Sequence, residues 1–192
     1  MYGVGWFYND DNEVDLSKNP NDFKHYSLLE TSSDILGIDH KEIKPKLSFE
    51  NKGSTVEGDY ITIAPHASAH AKYWMYPGGW QTVIDHFNDK GYKVVMITKE
   101  PLEDEWHDSK LGGTLTNVID KTGDYSLENR ANDIMNSKAF VGLGSGLSWL
   151  SWALNTPTIL ISGFSKPYSE FKDCSRVFTP SLNICNGCFN KE

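Results

Sequence analysis

Hydrophobic and polar positions along the chain fall into two regimes that meet near residue 58. Beyond that point, short apolar runs alternate with amphipathic stretches. Tyr60–Pro65 (YITIAP), Tyr92–Thr98 (YKVVMIT), Leu115–Asp120, Ala139–Leu143 and Thr158–Ser162 (TILIS) read as strands, with Arg176–Thr179 as a short last one. Pro77–Lys90 sets Trp80, Val83, Ile84 and Phe87 on one helical face, and Gly91 ends it. Ser126 is placed to N-cap a helix over 126–137 with Leu127, Ala131, Ile134 and Met135 on one side. Ser145–Leu154 predicts another helix, and residues 101–113 read as a loop. Such alternation predicts βα units around a parallel sheet covered on both faces, an α/β Rossmann-like domain over about residues 58–180.

Before residue 58 the pattern is weaker. Residues 1–23 mix Gly, Asn, Asp and aromatics without period, with a short strand expected at Val4–Tyr8. Tyr26–Leu36 predicts one helix closed by Gly37, and the polar stretch 39–59 predicts a linker. The organisation expected is a leading part over 1–57, linker included, and a main domain over 58–192.

The 192 residues carry 18 Lys+Arg against 26 Asp+Glu, a net charge of −8, which disfavours nucleic acid and an anionic membrane surface as general partners. No apolar run approaches the roughly 18 residues of a membrane span, and MYGVGWFYNDDNEVD lacks a signal-peptide pattern. Cys174, Cys185 and Cys188 do not make a disulfide framework. A cytoplasmic, folded protein is expected.

Four features carry candidate chemistry. In FVGLGSGLSWLSWALN, residues 140–155, a strand runs into Gly142, Gly144 and Gly146 and a helix then begins. A glycine backbone approaches an anion closely and a helix start offers unpaired N–H groups, so Gly144, Ser145, Gly146, Leu147 and Ser148 form a natural phosphate seat. A tight turn without a ligand would use the same residues. Leu147 stands where the dinucleotide fingerprint needs glycine, and no Gly-Lys-Ser/Thr follows, which excludes a nicotinamide dehydrogenase and a P-loop. APHASAHAKYW, residues 64–74, follows the first strand of the domain and supplies His66, Ser68, His70 and Lys72, with Lys72 suited to neutralising a phosphate. Zinc on His66 and His70 lacks a third ligand. Arg130 sits beside Glu128 and Asp133, which also suits a surface ion pair. Cys185-Asn-Gly-Cys188 is spaced to grip one metal ion, but two thiolates make an incomplete site.

HASAHAKYWMYPGGWQTVIDHFNDKGYKVVMITKE, GLGSGLSWLSWALNTPTILISGF and NICNGCF together resemble the bacterial autotransporter heptosyltransferases, of the two-Rossmann-domain (GT-B) architecture. The likeness covers nearly the whole chain. It implies an inverting glycosyltransferase, a protein O-heptosyltransferase that moves heptose from an ADP-activated donor to serine hydroxyls of autotransporter adhesins. It implies donor contacts from Lys72, Arg130 and the Gly144–Ser148 loop, and makes Cys185 and Cys188 the first two cysteines of an iron-holding finger. Complete members carry their catalytic base in an N-terminal domain, of which residues 1–50 look like the tail, so no catalytic residue is assigned here. No cofactor is certain for this chain, and iron is expected only with a longer parent. The expected partners are the nucleotide sugar and a protein acceptor, with no nucleic acid and no membrane. Aromatics such as Trp6, Trp74 and Trp106 leave room for a homo-oligomer. The competing reading is a non-catalytic nucleotide- or sugar-binding module.

Overall fold

The apolar runs assemble as one parallel sheet. The computed structural model describes residues 9–13, 15 and 26–178; the strand expected at Val4–Tyr8 lies outside them. Its strands are β1 (Tyr60–Ala64), β2 (Lys93–Met96), β3 (Ile119–Asp120), β4 (Ala139–Leu143), β5 (Thr158–Ile161) and β6 (Ser175–Val177). They lie in the order β3-β2-β1-β4-β5-β6, and every pairing is parallel. A leading helix α1 (Leu28–Leu36) precedes the sheet, and α2 (Gly79–Asp89), α3 (Glu105–Leu111), α4 (Leu127–Met135) and α5 (Gly146–Ala153) connect the strands.

Period-2 alternation of strand side chains divides the core between the two faces. Ile61, Ile63, Val94, Met96, Val141 and Leu143 pack on one side with Trp80 and Ile84 of α2, while Val83 and Phe87 lean on the same cluster. Tyr60, Ala64, Val95, Ile97 and Phe140 pack on the other with Ile134 of α4 and Leu147 and Leu150 of α5. A third cluster joins Trp152 and Ala153 to Leu160 and Phe171 beyond β5. Local signals set the ends. Ser27 and Glu30 make a reciprocal capping box at α1, which Gly37 closes in the left-handed region at φ 66°. Ser126 Oγ accepts the Asn129 N–H at 3.3 Å to start α4.

Three expectations need correction. Residues 101–113 contain α3, started by the Asp104 carboxylate on the His107 N–H at 2.9 Å and closed by Gly112 at φ 84°. The strand expected over Leu115–Asp120 is paired only at Ile119–Asp120, because Leu115 turns into the α2-side core. Leu127 is 56% exposed rather than on the buried side of α4, since that helix buries its polar residues Arg130, Asn132 and Asp133 instead.

The segment 39–59 has no regular structure, yet it is fastened along its length. Glu42 accepts the Lys172 N–H at 2.9 Å, and Lys44 Nζ bonds Asp173 at 2.7 Å and Asn155 at 3.0 Å. The Asn132 side chain accepts from Lys52 N–H and donates to Gly53 carbonyl, both at 2.9 Å. Val56 enters the core on the α4 side. Among the described residues no helix is long and apolar enough to cross a membrane.

Burial predicts the stability response. Ile84 has no exposed surface, so Ile84→Ala should lower the unfolding free energy by about 2–5 kcal/mol in urea titrations. Exposed Leu127→Ala should stay within about 0.5 kcal/mol of the parent in the same titration.

Candidate functional site

Strand order reverses between β1 and β4: from β1 the chain winds to β2 and β3 on one side, and from β4 to β5 and β6 on the other. In open α/β sheets the crevice beyond the carboxyl ends of strands at such a switch is where ligands bind. Ala64 and Gly142 are register partners across that pair, so the loops 65–73 and 144–148 leave the same edge as neighbours. Glycine is needed at 142 for this closeness. A Cβ there would lie 2.6 Å from the Phe140 ring and 3.4 Å from the Ala64 carbonyl oxygen.

The loop 144–148 starts α5. Ser148 is fully buried, and its Oγ accepts the Ser145 N–H at 3.1 Å while lying 2.9 Å from the Leu143 carbonyl oxygen. Its hydroxyl therefore shapes the turn from inside. Leu147 packs on the α4-side core, and a Cβ at Gly146 would meet nothing within 4 Å. The first N–H groups of α5 have no preceding turn to bond to and carry the positive end of the helix dipole. Lys72 ends a single 3-10 turn, His70–Lys72, after β1. With Gly144, Ser162, Phe164, Ser165 and Glu170 it lines a small open cleft. Its Nζ sits 5.7 Å from the Phe164 ring centroid and makes no ion pair among the described residues. Lys72 and the glycine loop are thus brought together.

His66 is turned inward instead. It is 4% exposed, its Nδ1 lies 3.0 Å from Thr98 Oγ1, and its ring centroid is 4.7 Å from that of His107. Burial, reinforced by His107 alongside, lowers its pKa to about 4, so it is neutral near pH 7. Ser68 and His70 are exposed. Among the described residues no group of three or more His, Cys, Asp or Glu is placed to hold a metal ion.

Arg130 is the largest departure from expectation. It is 5% exposed, and its guanidinium donates to the carbonyl oxygens of Thr98 (3.0 Å), Gly123 (2.7 Å) and Lys121. Its charged carbon stands 4.8 Å from the Tyr125 ring centroid. The neighbouring Asp133 pairs with Lys121, not with Arg130. The guanidinium ties together the loops that follow β2 and β3. In this arrangement it holds the crevice wall and is neither a surface ion pair nor a free group facing the Lys72 cleft.

A network that sequence reading missed lies beside Lys72. Glu170, 6% exposed, accepts hydrogen bonds from Ser162 Oγ at 2.8 Å and Ser165 Oγ at 2.6 Å and pairs with Arg176. No motif announces it, although Ser162, Ser165, Glu170 and Arg176 lie close together in sequence. Cys185 and Cys188 lie outside the described residues. Cys174 is half-buried, donates its thiol to the Phe171 carbonyl at 3.5 Å, and has its pKa raised by burial, none of which suits a metal thiolate.

The sequence pattern of glycosyltransferase family 9 (heptosyltransferase) matches residues 6–177. The chain belongs to that family. The autotransporter heptosyltransferase BAHTCr of Citrobacter rodentium is 35% identical over 192 aligned positions, covering 98% of this chain and 44% of the relative. The crystal structure of the dodecameric iron-containing heptosyltransferase TibC in complex with ADP-D-beta-D-heptose superposes with a TM-score of 0.80 at 34% identity, covering 99% of this chain and 48% of TibC. Escherichia coli heptosyltransferase WaaC, at 22% identity and a TM-score of 0.56 over 80% of this chain and 48% of its own, shares the fold. This family 9 chain spans about half the length of the curated relatives it matches.

Two measurements test the crevice. An unfolded histidine binds its proton near 6.5 and folded His66 only near 4, so stability should fall by about 2–3 kcal/mol as pH drops through that window and level off below it. In His66→Phe that slope, read as the urea midpoint between pH 7 and pH 4, should vanish. Arg130→Ala should destabilise by about 3 kcal/mol in the same titration, and Arg130→Lys should not restore the loss, since an ammonium cannot span three carbonyls in a fixed plane.

Proposed function

We propose that this chain is the donor-binding part of a family 9 glycosyltransferase that takes a nucleotide-diphosphate sugar of the ADP-heptose type. The observation that carries the reading is the meeting of the Lys72 ammonium, which makes no ion pair among the described residues, with the glycine-led turn before α5 at the β1–β4 switch point. Lys72 and the first N–H groups of α5 suit the diphosphate, where negative charge grows as the glycosidic bond to the leaving nucleoside diphosphate breaks. Arg130 and His66 act on this site by holding its wall, and Ser148 by fixing the turn.

The resemblance to autotransporter heptosyltransferases extends the proposal to the whole protein. There the acceptor is a serine hydroxyl of a protein such as an autotransporter adhesin, modified in the cytoplasm, and the base that deprotonates it comes from outside this chain. TibC's iron and its dodecameric state support two further parts of the reading. Cys185 and Cys188 supply thiolates to an iron site completed elsewhere in a longer protein, and the chain assembles with copies of itself.

Calorimetry tests the donor site. Lys72→Ala should weaken ADP binding by about 1.5–3 kcal/mol, the range for hydrogen bonds to charged groups. Adenosine, which lacks phosphates, should be nearly unaffected. Equal losses for both would count against a diphosphate contact.

A further inference from the structure

The Lys72 cleft carries polar groups of opposite hydrogen-bonding character. The Lys72 ammonium is a donor. Ser162, Ser165 and Glu170 line the same cleft. Glu170 pairs with the Arg176 guanidinium and is therefore a carboxylate, which can only accept hydrogen bonds. Its Oε1 lies 2.8 Å from Ser162 Oγ and 2.6 Å from Ser165 Oγ, so both hydroxyls must point their protons at it. Each serine oxygen is then left with lone pairs alone for anything that enters the cleft. Three polar groups on this wall act as acceptors, and none has a proton to give.

Gly144 is what admits the carboxylate. A Cβ at 144 would lie 2.9 Å from Glu170 Oε1, so the space a side chain would fill at the start of α5 is taken by a carboxylate brought from beyond β5. The Arg176 guanidinium, which also donates to the Ser165 carbonyl oxygen, holds Glu170 and the Ser165 loop in one arrangement. A phosphate, which presents only acceptor oxygens and negative charge, is repelled from such a wall. A polyhydroxylated group, whose O–H groups donate, is matched to it.

We infer that Ser162, Ser165 and Glu170 form a hydroxyl-reading wall that recognises the sugar of the nucleotide sugar, beside the seat for its diphosphate. Ser165 and Ser162 are the groups that meet the sugar hydroxyls, and Glu170 is a positioning residue that fixes which way their protons point. This rests on the donor-site reading above and adds which residues of the cleft select the sugar.

Calorimetry with ADP and with ADP-D-beta-D-heptose on the full chain separates the two ideas. Ser165→Ala removes one acceptor and should weaken the ADP-sugar about threefold to tenfold while ADP stays within about twofold. Glu170→Gln replaces one accepting oxygen with an amide that donates, which frees serine protons. It should weaken the ADP-sugar about tenfold or more and leave ADP unchanged or tighter. If Glu170→Gln does not fold, as judged by its thermal melt, Ser165→Ala decides alone. Parallel losses for both ligands, or no loss for the ADP-sugar, would overturn the wall while leaving the diphosphate site standing. Failure of the parent chain to bind either ligand would overturn the donor-site reading and this inference with it.

Discussion

The candidate site depends on the contact between β1 and β4. These strands are hydrogen-bonded along four register pairs, yet the chain departs from them in opposite directions. That divergence opens a crevice where neighbouring loops would otherwise cover the strand ends. Two small residues, Ala64 and Gly142, sit at its base, and the clash a Cβ would make at 142 explains why nothing larger occupies the position. The sheet itself is rigidified from both faces by a divided hydrophobic core, so the crevice is bounded by a fixed floor.

The walls are polar and are held from behind. Arg130 gathers the loops after β2 and β3 through their carbonyl oxygens, and Thr98, one of its acceptors, also holds neutral His66 through its hydroxyl. On the far side Arg176 and Glu170 do comparable work for the loop after β5. Arg130 is buried and its charge is met by fixed oxygens, since an unpaired charge at such depth is strongly destabilising, while half-buried Arg176 is held by Glu170 and the Ser165 carbonyl oxygen. Placing positive charge behind the walls also leaves Lys72 as a cation on the open cleft itself.

How much of this was legible in the sequence differs by element. Runs such as YITIAP and TILIS, with the capping residue Ser126 and Gly91, announced the parallel α/β domain, because period and cap chemistry are local properties. The helix over Glu105–Leu111 went unread although Asp104 and Gly112 bracket it, because its apolar content is only Trp106 and Leu111. The glycine loop and Lys72 were visible as chemistry beside predicted strand ends. The job of Arg130 was not, because an arginine among acidic residues looks like a solvated one. Its partners are backbone oxygens from two loops that only the folded sheet brings within reach. Glu170 was missed for the same reason: its meaning depends on the empty Cβ position of Gly144, 26 residues earlier.

The Arg130 clamp has an evolutionary corollary. Because it grips carbonyl oxygens, its hold depends little on the side chains that the gripped loops display, the Tyr125 ring beside it excepted. Exposed positions on those loops, among them Lys99 and Asp124, can change without loosening the frame beneath them. A scaffold built this way can diversify what its rim recognises while one buried residue keeps the rim in place.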